Sequence, residues 1–333
     1  MLKTAILSRW HVHADDYAKQ FQERHDAKLT AMWDEEPEKG IAFAKRYGLE
    51  FEADLDKLLQ RSDVDAVCVT APTSMHRELI VKAAQAGKHI FTEKVLALTT
   101  AECADIRAAV EGNPVKFCIS FPHRTHPHCL LAKHVLEEKL LGDVTYLRVR
   151  NAHDGASGGW LPPHFYDGPT CGGGAMMDLG AHPMYLIAWL LGKPTEISST
   201  FTSVTGRAVE DNAVSVMKYP SGAIAVSETG FVSSNSPFVL ELYGTAGSLI
   251  ITDNNIRLIS SKSKEDGSTF DGWVIPSRLP DALPSPIAQF VEGVLYGKEI
   301  LFSLDDAIML TEIMEAAYKS HAASLQTKLQ SPT

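Results

Sequence analysis

The chain has 333 residues, 45% of them apolar and 22% charged, and a formal net charge of −10. That length suits two packed domains, and the composition is that of an ordinary globular protein. No block of Lys and Arg interrupts the acidic balance, so neither nucleic acid nor an anionic membrane is expected as a partner.

Short apolar runs alternate with amphipathic ones over the first half. Strands are expected at Thr4–Leu7, Leu29–Trp33, Ala66–Thr70, His89–Phe91 and Val115–Ser120. Met75–Ala86 between them reads as a helix, with Leu79, Ile80, Ala83 and Ala84 on one face and Gly87 at its left-handed end. Such alternation predicts a parallel sheet covered by helices. The rhythm changes after about residue 143. Residues 211–260 read as sequential hairpins, with turns at Pro220-Ser221-Gly222 and at Gly244–Gly247, and predict an antiparallel sheet. Two helices are expected to close the fold, from about Ser285 and from Ser303, where Ser-x-x-Asp is a capping signal. Ser260–Ser268 reads as a polar loop. The fold class expected is α/β: an N-terminal parallel dinucleotide-binding sheet over 1–122, then an α+β substrate and oligomerisation domain over 123–333 on a large, mostly antiparallel open sheet.

The five cysteines form no C-x-x-C pair, and an odd count gives no disulfide framework. No secretory leader and no run of membrane-spanning length is read, so a reducing cytoplasm is the expected compartment.

A dinucleotide site usually follows the first strand with G-x-G-x-x-G, which brings backbone close to the pyrophosphate. This chain has Ser8-Arg9-Trp10-His11-Val12-His13 there, without a glycine. The strand-turn-helix context remains, and Asp34 closes the second strand, where an acid can bind ribose hydroxyls. Glu35 and Glu36 follow it with no Lys or Arg beside them in sequence, which predicts NAD over NADP. His11 and His13 could instead be metal ligands at a strand end, with His123, His126 and His128 in reserve. The antiparallel second half argues against the barrel hydrolase such ligands would suit, and no metal is expected.

Two further segments carry chemistry. One runs from Thr70-Ala71-Pro72 and His76 through Ala86-Gly87-Lys88-His89 to Glu93-Lys94-Val95; the other holds Gly172-Gly173-Gly174, Asp178, Gly180 and His182. Together, and with matches at Arg124, Gly142-Asp143 and Gly244–Leu249, they resemble the Gfo/Idh/MocA oxidoreductases over nearly the whole chain. Asp178 and His182 are four apart, so on a helix they would share one face. Gly180 would let a ligand approach, and Pro183 would kink or restart the helix.

The resemblance implies an NAD(P)-dependent dehydrogenase or reductase of a sugar, cyclitol or related polyol, built on a Rossmann-type domain. It implies Lys94, Asp178 and His182 as the catalytic set. Ser8, Trp10, His11, Val12, Asp34, Thr70, Ala71, Pro72, His76, Glu93 and Lys94 are the expected cofactor contacts. Arg124, His153, Trp160 and Tyr166 are candidates for the substrate pocket. A homodimer or homotetramer is expected through an outer sheet face carrying Val214, Val216, Ile224 and Val226. The alternative is a non-catalytic regulator that binds NAD(P) on the same fold. Two departures stand out: Val95 replaces the proline of E-K-P, and Tyr185 stands where the family often has an acid.

Overall fold

A computed structural model of the protein describes residues 1–253, 255–262, 267–270 and 272–323. Residues 263–266 of the expected polar loop lie outside the described ones. The elements in chain order are β1 (Leu2–Leu7), α1 (Ala14–Gln22), β2 (Ala27–Trp33), α2 (Pro37–Tyr47), β3 (Glu50–Phe51), α3 (Leu55–Gln60), β4 (Ala66–Val69), α4 (His76–Gln85), β5 (His89–Thr92), α5 (Thr100–Glu111) and β6 (Phe117–Ile119). They continue with α6 (Pro127–Glu137), β7 (Val144–Ala152), α7 (Gly168–Cys171), α8 (Ala181–Leu191), β8 (Glu196–Thr202), β9 (Asn212–Lys218), β10 (Ile224–Gly230), β11 (Val239–Gly244), β12 (Gly247–Thr252), β13 (Asn255–Ser260), β14 (Gly267–Phe270), β15 (Trp273–Pro276), α9 (Pro286–Tyr296) and α10 (Leu304–Ala323). None of the described helices is long and apolar enough to cross a membrane.

The chain divides into two compact units. The first holds Met1–Leu131, Asp167–Gly172 and Leu279–Glu312; the second holds Ala132–Tyr166, Gly173–Arg278 and Ile313–Thr333. The first unit therefore draws in segments from well beyond residue 122.

The first unit is built on a six-stranded parallel sheet in the order β3-β2-β1-β4-β5-β6. Ala66, Val67, Cys68 and Val69 are all fully buried, as strands covered on both faces must be. Local sequence punctuates the helices as expected. Gly48 and Gly87 take the left-handed backbone at φ 69° and 71°. Thr99 and Glu102 form a reciprocal capping box at the start of α5. Ser285 caps α9 by accepting from Ala288 N, and α9 packs Phe290 against Phe91 of β5, ring centroids 5.8 Å apart. The sheet's order reverses beside β1, where β1 and β4 lie side by side, so their carboxyl ends open the crevice in which doubly wound sheets bind ligands.

The second unit is built on a nine-stranded sheet, β14-β15-β13-β12-β11-β7-β10-β9-β8. Only the β7–β10 pair is parallel among its recorded pairings. Alternation places Ala213, Ser215 and Met217 of β9 inward and leaves Val216 exposed; Ile224 of β10 is exposed too. Val226 is buried, so the exposed apolar face is narrower than the sequence pattern suggests. Arg148 makes a bidentate pair with Glu228 at 2.8 and 2.9 Å across β7 and β10.

Candidate active site

The loop from β1 to α1 closes on itself rather than outward. Ser8 is buried with φ 75°, a backbone that glycine takes freely and an L-residue adopts at a cost of roughly 1–2 kcal/mol. Ser8 N donates to Trp33 O at 2.7 Å, and Thr70 Oγ1 donates to Ser8 O at 2.5 Å. The amides that follow are already engaged. Arg9 N donates to Asp34 Oδ2 (2.9 Å), Trp10 N to Ser8 Oγ (3.0 Å), His11 N to Thr70 O (3.0 Å) and His13 N to His11 Nδ1 (3.2 Å). In a glycine loop such groups face a pyrophosphate; here the protein uses them itself.

Asp34 is part of that closure. Its carboxylate is 3% exposed and accepts from both Arg9 N and Glu36 N. Burial raises its carboxyl above the ordinary aspartate value, and the two amides offset this in part. Glu35, the next residue, is half-buried, and its Oε2 is buried with no hydrogen-bond partner among the described residues. An unsatisfied acceptor at the end of β2 is where a ribose hydroxyl is expected. The sequence reading placed that role at Asp34 and overlooked Arg9, whose charge acts on the Asp34 carboxylate.

The ends of β4 and β5 are more regular. Ala71 and Thr70 are buried, and His76 lies across them at 1% exposure. Its Nε2 is 3.0 Å from Ala71 O and its Nδ1 2.8 Å from Val95 O. With both ring nitrogens on backbone carbonyls, His76 is a strut between the β4 end and the segment after Lys94, not the cofactor contact expected from the sequence. Burial pushes its imidazolium down, and the two carbonyls push the other way.

Glu93 and Lys94 follow β5 at 1% and 5% exposure. The solvated strand-end lysine that a sequence of this kind often has is excluded. Glu93 Oε1 lies 2.7 Å from His13 Nδ1 and 3.6 Å from His11 Nδ1, and Tyr17 donates its hydroxyl proton to the same oxygen. Ser120 Oγ is 2.7 Å from the Tyr17 oxygen. Burial alone would raise the Glu93 carboxyl; His11, His13 and Lys94 around it override that and hold it well below the usual range. Tyr17, by contrast, is pushed up by burial and then by the Glu93 charge. Tyr17 and Ser120 carried no sequence signal, since each sits in an element whose pattern reads as packing.

Arg124 belongs to the first unit and is committed within it. The residue is 8% exposed, and its guanidinium pairs with Asp306 at 3.1 Å and donates to Leu301 O at 3.2 Å. Those bonds make it a bracket for the segment before α10.

In the second unit the chain from Gly173 coils through turns before α8 begins at Ala181. Asp178 therefore precedes the helix while His182 lies in its first turn, and they do not share a helical face. Pro183 also falls in the first turn, where no backbone donor is needed, so α8 is neither kinked nor restarted. The glycines serve close packing of the chain on itself. A Cβ on Gly174 would overlap Glu210 O, one on Gly173 the Tyr318 hydroxyl, and one on Gly180 would lie 2.6 Å from Met176 O. Glu210 Oε1 gathers this turn by accepting from Gly174 N, Met176 N and Tyr318 Oη at 2.9, 3.0 and 2.6 Å. His182 is 7% exposed, and its Nδ1 is 3.0 Å from Tyr185 Oη.

His153, Trp160 and Tyr166 are brought together in this unit. His153 stacks on Phe231 at 5.0 Å, Trp160 lies 4.7 Å from the His153 ring, and Tyr166 meets Phe231 edge-on. Trp160 is 57% exposed and donates to Asp154 at 2.9 Å. Burial lowers His153, while the nearby Asp178 charge opposes that. Asp178 and His153 are thus neighbours, which sequence spacing did not reveal.

A parallel sheet with a crevice at its switch point, joined to an antiparallel α+β unit that carries a glycine-turn histidine, defines a two-domain nicotinamide-dependent oxidoreductase. Residues 11–121 match the oxidoreductase family's NAD-binding Rossmann fold, and residues 129–250 match the GFO/IDH/MocA C-terminal domain. The chain belongs to the Gfo/Idh/MocA family. The first match begins at His11, inside the glycine-free loop. The chain is 26% identical over 327 residues to inositol 2-dehydrogenase of Rhizobium meliloti (strain 1021), covering 94% of this chain and 95% of that one. It is 29% identical to scyllo-inositol 2-dehydrogenase (NAD(+)) of Bacillus subtilis (strain 168), over 91% and 89% of the two chains. A solved levoglucosan dehydrogenase in complex with NADH superposes with a TM-score of 0.79 at 21% identity, covering 96% of this chain and 97% of that chain, and shares the fold.

NAD is the cofactor of this domain. The residues fit it at the β2 end, where Glu35 presents an unsatisfied acceptor, and at the β4 and β5 ends, where Thr70–Pro72 and Lys94 line the strand termini. The β1–α1 loop departs from the usual pyrophosphate cradle.

Proposed function

We infer that the protein oxidises a secondary alcohol of a sugar, cyclitol or related polyol, with the reverse reduction open to the same groups. The observation that carries this reading is Lys94, an ammonium side chain held at 5% exposure at the end of β5. Lysine is rarely buried without a task or a partner. Support also comes from the inositol dehydrogenases among its relatives and from the family motif at Asp178 and His182.

Bound NAD supplies the hydride acceptor. Lys94 would stabilise the alkoxide that develops on the substrate oxygen. His182 would take the hydroxyl proton. With Nδ1 engaged by Tyr185, Nε2 is the nitrogen assigned to that transfer. For oxidation this requires the tautomer in which Nδ1–H donates to the tyrosine oxygen, leaving an Nε2 lone pair for the proton. Asp178, next to His153, would orient the substrate and supply negative charge. His153, Trp160 and Tyr166 would form one wall of the substrate pocket, with the aromatic face of Trp160 suited to a sugar ring. Glu35 would accept from the adenosine ribose, and Asp34 would hold the loop. Arg124 is left out of the pocket because its Nη1 pairs with Asp306 and its Nη2 donates to Leu301 O. Val216 and Ile224 would lie in a homo-oligomeric contact.

A regulator that binds NAD without turning it over is the second reading, favoured by the inward-facing loop amides. Offering NAD+ with a panel of cyclitols and anhydrosugars and following nicotinamide reduction separates the two. Turnover of at least one polyol supports the enzyme. Tight NAD binding with no turnover across the panel would favour the regulator.

A further inference from the structure

We propose that His11, His13 and Glu93 form a binding site for one divalent first-row transition-metal ion, of which Zn²⁺ is the type. The three side chains converge in the first unit, and their ligand atoms all lie within 4.8 Å of one another. Two imidazoles and one carboxylate are ligands that zinc and its neighbours accept, leaving a fourth position open.

The spacing is close to what an ion needs. Around a tetrahedral centre with bonds of about 2.0–2.1 Å, neighbouring ligand atoms are roughly 3.3 Å apart. Glu93 Oε1 is 2.7 Å from His13 Nδ1 and 3.6 Å from His11 Nδ1. These two distances straddle the ideal edge, and the third edge, between the two histidines, is within 4.8 Å.

The protonation pattern points the same way. His11 Nδ1 accepts the His13 amide, so that nitrogen is unprotonated, and its single lone pair would pass from the amide to the ion on binding. The nitrogen lies 3.6 Å from a carboxylate oxygen. Two electron-rich atoms so placed are stabilised by a cation between them. Glu93 is 1% exposed, so an ion would meet a carboxylate already screened from water.

The ligands are also held from behind, as metal ligands usually are. Tyr17 donates to Glu93 Oε1 and Lys94 N donates to Oε2 at 3.0 Å. His11 is fixed by its amide bond to Thr70 O, and Glu93 N donates to Val69 O, both at 3.0 Å. The His13 side chain is 35% exposed, which gives an ion a way in. Of the three positions where the usual loop has glycine, 8, 10 and 13, the last holds a proposed ligand, His13.

The test uses the full chain, treated with a chelator and free of NAD and substrate, so its outcome does not depend on the proposed dehydrogenase activity. Co²⁺ is titrated while its visible ligand-field absorption is followed, and Zn²⁺ is counted by elemental analysis after gel filtration. One ion per chain is expected, with a low-coordinate Co²⁺ spectrum. His13→Ala and His11→Ala should each weaken binding at least tenfold, and the paired change of His126 and His128 to Ala should leave it unaltered. Because an alanine could loosen the loop, His13→Gln and Tyr17→Phe are measured with circular dichroism as a check on folding. A folded His13→Gln protein should lose the ion, and Tyr17→Phe should weaken it by about 10–100-fold. Absence of a stoichiometric ion, or binding that survives in folded His13→Gln, overturns the assignment in favour of an imidazolium–carboxylate pair.

Discussion

Replacing Asp34 or Glu35, one at a time, separates a residue that builds the cofactor loop from one that meets the cofactor. Asp34→Ala removes the acceptor for Arg9 N and Glu36 N, bonds of 2.9 and 2.8 Å to a carboxylate that is 3% exposed. Each amide left without its charged partner costs about 1.5–3 kcal/mol, offset in part because the carboxylate itself no longer has to be desolvated. A net loss of roughly 2–4 kcal/mol is expected, and in a unit of this size each kcal/mol lowers the melting midpoint by about 2–4 °C. Glu35→Ala breaks no backbone bond and removes, with a side-chain hydrogen bond to Ser8, an Oε2 that has no partner, so the apoprotein should stay within about 1–2 kcal/mol of wild type. It should nonetheless weaken NAD binding about tenfold or more, the worth of one lost ribose hydrogen bond to a charged acceptor. Thermal unfolding with and without NAD reads both effects. An Asp34→Ala protein as stable as wild type, or a Glu35→Ala protein with unchanged NAD affinity, would refute the division of labour.

Gly174→Ala should destabilise the second unit by about 3 kcal/mol or more, because its Cβ meets the rigid Glu210 carbonyl; Gly48→Ala, which pays only for left-handed backbone, should cost about 1–2 kcal/mol. Denaturant unfolding compares them, and equal costs would contradict the packing role of the glycine run. The Arg148–Glu228 pair holds the Glu228 carboxyl below its ordinary value of 4.5. Its contribution is therefore full above that value and fades as pH falls through the lowered one, so the stability gap between wild type and Glu228→Gln should narrow below about pH 4.5. A gap independent of pH between 7 and 3.5 (approximate bounds) would remove the pair from the stability account. Tyr185→Phe should shift the pH profile of turnover while leaving NAD affinity unchanged, since the hydroxyl lies 3.0 Å from His182 Nδ1.

Much of the architecture was readable because it rests on local rules. The buried run Ala66–Val69 and the facing set Leu79, Ile80, Ala83 and Ala84 each have one period that fits, and Gly87 ends its helix where a positive φ is required. Long-range choices were not readable in this way. Asp34 and Glu35 are both acids at a strand end, and only the position of the Arg9 amide shows which one is consumed. Spacing of four suggested a shared helical face for Asp178 and His182, yet the glycine run allows a tight turn that delays the helix to Ala181. His76 was legible as a motif residue but not as a strut, because its partners are carbonyls 5 and 19 residues away. Tyr17 and Ser120 reach Glu93 from 76 positions away and, through Tyr17, from the end of β6, distances that no local pattern encodes.

The dehydrogenase assignment is tested most directly by single-turnover reduction of bound NAD+ in wild type, Lys94→Ala and His182→Ala, using whichever polyol the wild type oxidises. Each variant should bind NAD and fold as wild type does, yet reduce it about 10²–10⁴-fold more slowly. The double variant should lose less than the product of the two if the groups act as a unit, as proposed. Reduction at the wild-type rate in both single variants would contradict the account.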